Sequence, residues 1–275
     1  MEEVLFNIKG GLGNQFFQTA FALCLEQSCQ LKPKFLINSY KNYSYGFSYE
    51  LNTNEFGIVD KYKILTESDR EDYRVLQEPD NLNYQNLEQI FDAIKSTLGH
   101  ERPLLIDGYW ANEGFFESHE DLIRSALKPR LRERELVNEP FIAVHVRRYE
   151  YGHNGLPMIA YYKLAVQSIR REKGDLKVKV FTDEPNFCQF VFKDLKNIEI
   201  VKPNIYSPIS DFKHMLEAEH WVLANSSFGY WAAFFGEKND SIVYFPHPFC
   251  SWLSHTILHQ RLVRWRVVDD VVRAP

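Results

Sequence analysis

The stretch that most narrows the possible folds is Phe141-Ile142-Ala143-Val144-His145-Val146-Arg147-Arg148. An apolar run with only alanine breaking the large side chains predicts a strand buried on both faces, as in the middle of a parallel sheet. It then opens onto a histidine and two adjacent arginines. The C-terminal rim of such a sheet is where an open α/β fold places its ligand. The two-residue period of a strand puts His145 and Arg147 on one face and Val146 and Arg148 on the other. Two guanidinium groups suit a diphosphate, because their planar forks match phosphate oxygens and keep their charge at any working pH. Solvated arginines at a strand end are the plainer alternative from this octapeptide alone.

The chain has 275 residues and suits one large domain or two small ones, at roughly 100–200 residues each. Its net charge is −5, so no global field draws it to nucleic acid and any anion site must be local. Cys24, Cys29, Cys188 and Cys250 form no CxxC pair and read as reduced cytosolic thiols. Met1-Glu2-Glu3 leads straight into a strand pattern, without the basic and apolar regions of a secretory signal. No run approaches about 18 apolar residues, so membrane contact is at most peripheral and a cytoplasmic location is expected.

Along the chain, Val4–Ile8 predicts a strand, Gly10-Gly11-Leu12-Gly13-Asn14 a turn, and Gln15–Leu23 an apolar helix. Strand, glycine turn and helix is a geometry that can present backbone N–H groups to an anion. Phe16 stands where the dinucleotide fingerprint G-x-G-x-x-G needs its third glycine. Residues 38–60 read as loops with short strands, 81–96 as containing a helix, and 103–110 as a strand ending in Gly108-Tyr109-Trp110. A helix is expected from Gly114 to Ala126, and the charged segment 128–138 divides the chain into domains 1–138 and 139–275. Beyond it come strands at 141–147, 177–182, 198–201, 221–224 and 242–245. Helices are expected at 159–171, 186–193 and 230–235, with another capped by Ser210-Asp211. This alternation implies a parallel sheet with helices on both faces.

Three strand ends then fall on one rim: His145/Arg147/Arg148, Thr182/Asp183/Glu184 and Asn225/Ser226/Ser227/Phe228. Arginine answers phosphate charge, serine hydroxyls and helix N–H groups bind phosphate oxygens, and Asp183 accepts from a base or ribose. Phe228 can pack against a base. Singly, Asn-Ser-Ser reads as a helix cap, Thr-Asp-Glu-Pro as a turn and His145 as a core histidine. His255 and His259 read as a helix face, and no Asp-x-Asp pair is present to hold a metal against a diphosphate.

Gly10-Gly11-Leu12-Gly13-Asn14-Gln15-Phe16-Phe17-Gln18 resembles the N-terminal signature of the α-1,2-fucosyltransferases of glycosyltransferase family 11. His145-Val146-Arg147-Arg148 resembles their H-x-R-R motif. Phe181–Glu184, Ala224–Trp231 and Gly108–Phe116 are similar to further segments of that family. The resemblance spans residues 4 to about 248. It implies an α/β, GT-B architecture of two Rossmann-like domains facing a cleft, with donor on the C-terminal side and acceptor mostly on the N-terminal side. The implied reaction moves L-fucose from GDP-β-L-fucose to O2 of a terminal galactose on a glycan, with inversion, no cofactor and no metal. It assigns Arg147 to the β-phosphate and departing oxygen, and His145 to holding the nucleotide. Asp183 falls to the guanosine, and Ser226, Ser227 and Phe228 to the diphosphate and base. Asn14, from the Gly11/Gly13 turn, falls to the donor. Where the family continues Gly-Asp after H-x-R-R, this chain has Tyr149-Glu150. No base is singled out among Asp107, Glu113 and Glu150. A transferase of another GDP-6-deoxyhexose, a GDP-sugar-binding protein without turnover and a dinucleotide oxidoreductase are the other readings.

Overall fold

A computed structural model describes residues 2–37, 64–66, 73–79, 87–100, 102–127, 139–147, 159–203, 208–246 and 264–268. The loops expected at 38–60, the boundary at 128–138, Arg148, Tyr149, Glu150, Cys250 and the His255/His259 pair lie outside the described residues. The chain divides into two compact units, one holding everything described up to Leu127 and the other everything from Glu139 onward.

The first unit is a five-stranded sheet in the order β3-β2-β1-β5-β4, from β1 Glu3–Ile8, β2 Lys32–Ile37, β3 Ile64–Thr66, β4 Arg74–Gln77 and β5 Leu104–Asp107. All its pairings are parallel. Helix α1 (Leu12–Cys29) starts three residues earlier and runs six residues further than the sequence pattern predicts. Gly10, at φ +79°, makes the whole reversal, so Gly11 already serves as the N-cap. Gly13 and Asn14 therefore lie in the first turn of the helix, not in the loop. The helix is buried almost all round from Leu12 to Leu25, as a core helix must be when apolar residues cover every face. Its buried amides are satisfied: Gln15 Nε2 donates to Gly10 O, and Gln18 bridges Lys9 N to Gly108 O. Helices α2 (Leu87–Ser96) and α3 (Glu120–Leu127) complete the unit. Two short 3₁₀ turns, Glu113–Phe115 and Glu117–His119, stand where the sequence pattern predicts the start of α3.

Strand β2 was not anticipated, because Lys32-Pro33-Lys34 breaks the apolar pattern. Proline is tolerated there because β2 meets β3 only from Phe35 onward, so the side lacking an N–H faces no strand partner at residue 33 among the described residues.

The second unit is a six-stranded parallel sheet in the order β11-β10-β9-β6-β7-β8. Its strands are β6 Phe141–Val146, β7 Lys177–Thr182, β8 Ile198–Ile200, β9 His220–Val222, β10 Val243–Phe245 and β11 Arg266–Val267. Counted within the unit, this is the 3-2-1-4-5-6 order of a doubly wound nucleotide-binding fold. Every residue of β6 is buried. Ile142, Val144 and Val146 join a core with α4 (Ile159–Lys173) and α5 (Pro185–Val191). Phe141 and His145 sit on the opposite face and meet rings from α6 (Pro208–Leu216) and α7 (Ser227–Gly236). Helices thus cover both faces. Ser210 and Asp211 lie inside the first turns of α6 and not at its cap, because the helix starts at Pro208, which needs no N–H at such a position.

Candidate functional site

The chain of the second unit runs outward from β6 through β7 to β8, then returns to the other side of β6 as β9. The order therefore reverses between β6 and β9, and a doubly wound sheet binds its ligand beyond the carboxyl ends of such a pair. His145 and Arg147 come from the end of β6. Asn225–Phe228 come from the turn after β9. The two meet there through the rings of His145 and Phe228, 5.5 Å apart and tilted by 37°.

Ser226 is the N-cap of α7, with extended backbone and its Oγ accepting from Phe228 N at 3.3 Å. The cap uses Oγ as acceptor, while its O–H proton can point to a ligand oxygen. The cap also aims the first N–H groups of a ten-residue helix at the rim, where its dipole favours an anion. Tyr161, from α4, donates to Leu223 O at 3.0 Å and fixes the strand end from which this turn springs. Phe228 packs edge-on against Phe212 at 5.3 Å and stays half-buried, which leaves an aromatic surface for a planar ligand. Gly229 follows, buried against His145.

His145 is 6% exposed, and its Nδ1 has no hydrogen-bond partner among the described residues. Burial pushes its pKa down to about 4, the Arg147 charge pushes the same way, and Asp183 opposes them. The imidazole is therefore neutral at neutral pH, and the positive charge at this point is the arginine's. Arg147 Nε lies 3.5 Å from Asp183 Oδ2.

Thr182 goes elsewhere. It pairs in register with Val146, so its side chain shares the face of α4 and α5. Its Oγ1 accepts from Glu184 N at 3.0 Å and from the Cys188 thiol at 3.4 Å. The structure thus turns the Thr182 hydroxyl away from the His145 face. Glu184 is the N-cap residue of α5. Of the expected donor residues in this unit, His145, Arg147, Asp183, Ser226 and Phe228 come together, with Asn225 and Ser227 in the same turn. Sequence reasoning passed over Tyr161 and Phe212, which look like ordinary core aromatics until the register is known.

In the first unit the corresponding reversal lies between β1 and β5, where the Gly10-Gly11 turn meets Asp107-Gly108-Tyr109. Asp107 gathers Lys9 Nζ at 2.6 Å, Asn7 Nδ2 at 2.7 Å and Gln77 Nε2 at 3.1 Å. Burial alone would raise its pKa, but these donors outweigh it and hold the carboxyl below its ordinary value. A carboxylate so held is a poor proton acceptor. Glu78, absent from the sequence reasoning, accepts from Tyr109 N at 2.6 Å and occupies the space where a β-carbon of Gly108 would stand. Burial raises its pKa despite the N–H groups of Trp110, Tyr109 and Ala111 and the charge of Lys9. Glu113 is buried, at 4% exposure. Among the described residues, no group of three His, Cys, Asp or Glu side chains is placed to hold a metal ion, and no helix is long and apolar enough to cross a membrane.

Two parallel α/β units with ligand-type rims make a GT-B-like fold, and solved structures share it. The chain aligns with the α-1,6-fucosyltransferase NodZ co-crystallised with GDP at 15% identity, over 84% of this chain and 92% of that one, with a TM-score of 0.50. POFUT1 in complex with GDP-fucose gives 0.51 at 13% identity, over 89% and 98%. Escherichia coli ADP-heptose heptosyltransferase II gives 0.50 at 11% identity, over 98% and 90%. The chain belongs to glycosyl transferase family 11, whose profile matches residues 6–248. It is 25% identical to an α-1,2-colitosyltransferase of Escherichia coli over 272 residues, covering 90% of this chain and 92% of that one. It is 23% identical to the O-antigen biosynthesis glycosyltransferase WbnK of Escherichia coli over 283 residues, covering 87% and 92%.

Proposed function

We propose that this glycosyltransferase moves L-fucose from GDP-β-L-fucose to O2 of a terminal galactose on an oligosaccharide or polysaccharide, with inversion and without a metal. The observation that carries the reading is the Arg147 guanidinium at the end of β6, next to the strand whose turn caps α7. Fucosyl transfer passes through an oxocarbenium-like state as negative charge grows on the departing GDP. A fixed guanidinium and a helix N-terminus aimed at that charge stabilise the transition state more than the ground state. Neutral His145 holds the nucleotide without adding charge, and Phe228 offers its ring to the base. Membership of family 11 supports the class of reaction, and the α-1,2 linkage in a relative's name supports the choice of O2.

A second reading has a specific observation in its favour: that relative transfers colitose, so the donor here is a GDP-linked colitose in place of fucose. Incubation with each GDP-sugar and a panel of galactose-terminated glycans, read by mass, separates the two. Excess chelator leaves activity intact on either reading, and a strict Mg²⁺ or Mn²⁺ requirement overturns the arginine-based account. In thermal-shift titrations GDP raises the melting temperature, while UDP, ADP and NAD leave it unchanged.

A further inference from the structure

We infer that Asp183 is a positioning residue for Arg147, so that the nucleoside end and the diphosphate end of the donor are read through one shared ion pair. The inference rests on the reading of this rim as a GDP-sugar site.

The pair is built by the sheet itself. β6 and β7 are parallel and adjacent, and their last register pair is Val146 with Thr182. Arg147 and Asp183 are the next residue of each strand, so they emerge side by side at the same height. Their contact is Nε to Oδ2 at 3.5 Å, an ion pair and not a short hydrogen bond. The Asp183 side chain is 19% exposed and that of Arg147 is 35% exposed, so solvent screens the attraction only in part. Both charges also reach His145, where they act with opposite sign.

The chemical consequence follows from the shape of a guanidinium. It is planar and can meet an anion along its Nε edge or across its two terminal nitrogens. A carboxylate standing at Nε sets the plane and thereby the direction in which the terminal fork points. An arginine side chain otherwise carries rotamer freedom, which an arriving phosphate would have to remove. Held beforehand, the guanidinium meets the diphosphate with less reorganisation. If Asp183 contacts only the nucleoside, none of this coupling exists.

The test is the affinity of GDP and of guanosine, measured by calorimetry, for wild type, Asp183→Ala, Arg147→Ala and the double variant. The informative quantity is the advantage of GDP over guanosine, which isolates the diphosphate. In Asp183→Ala this advantage is expected to shrink about tenfold, and in the double variant it should match Arg147→Ala within about twofold. Multiplying losses in the double variant, or an unchanged GDP advantage in Asp183→Ala, overturns the inference. Asp183→Asn keeps the side chain's shape and removes its charge, and serves the same comparison if the alanine variant folds poorly. A wild-type chain that binds guanosine and GDP equally overturns the GDP-sugar reading beneath it, which is a different result from either.

Discussion

Gly229 and His145 meet at a distance that admits no side chain: a β-carbon on residue 229 would stand 2.6 Å from His145 Nδ1. The glycine in the first turn of α7 is what lets the histidine ring lie against the helix and touch Phe228. Gly229→Ala forces the ring or the helix to move, at a cost of about 1–3 kcal/mol for an overpacked site. The expected result is a lower melting temperature together with a weaker GDP-induced shift. A variant with wild-type stability and GDP response would show that the close approach is not needed.

Arg147→Ala tests the charge. Removing one preorganised donor from a developing anion typically costs ~10²–10³ in turnover, and that range is expected for sugar transfer here. The side chain is 35% exposed, so the melting temperature should stay near that of the wild type. Near-normal turnover would remove Arg147 from the chemistry.

The buried histidine predicts a pH dependence of stability. His145 titrates near 6.5 when unfolded and near 4 when folded, so between those values the unfolded chain binds more protons. Its contribution is present above about pH 6.5 and is lost as the pH falls toward 4, amounting to about 3 kcal/mol at most. Carboxylates titrate in the same window, so the measurement is a difference: urea unfolding at pH 7.5 and 4.5, wild type against His145→Gln. The variant should lose less stability on acidification. An identical loss in both would mean the histidine is not buried in its neutral form.

Asp107 predicts an effect in the same direction, over the carboxylate range. Its folded pKa is depressed, so the stability it supplies is present above the unfolded value and is lost as the pH falls through the folded one. Asp107→Ala removes the carboxylate partner of Asn7, Lys9 and Gln77 and should destabilise by about 1–3 kcal/mol. Glu3→Ala, which breaks an exposed pair with Lys34, should cost less than about 1 kcal/mol. Equal effects in denaturant titrations would show that the Asp107 network is no more than a surface pair.

Much of this was legible residue by residue. The apolar run of Phe141–Val144 marked a buried strand, its period separated His145 from Val146, and alternating short segments implied a parallel α/β sheet. The order of the glycine turn, H-x-R-R and Asn-Ser-Ser motifs placed the chain in its family. Local patterns also misled in specific ways. A glycine-rich turn hid the true start of α1, and lysines around Pro33 hid β2. Thr182 was grouped with the site although its register with Val146 turns its hydroxyl toward α5.

What the sequence determined alone is the kind of element at each position, because backbone preference and apolar period act over a few residues. Only the tertiary structure decided which strand ends stand together: β9 beside β6, β5 beside β1, Asp183 at the height of Arg147 and Gly229 against His145. Those neighbours are set by strand order and register, which arise from packing between segments tens of residues apart and leave no local trace in the chain.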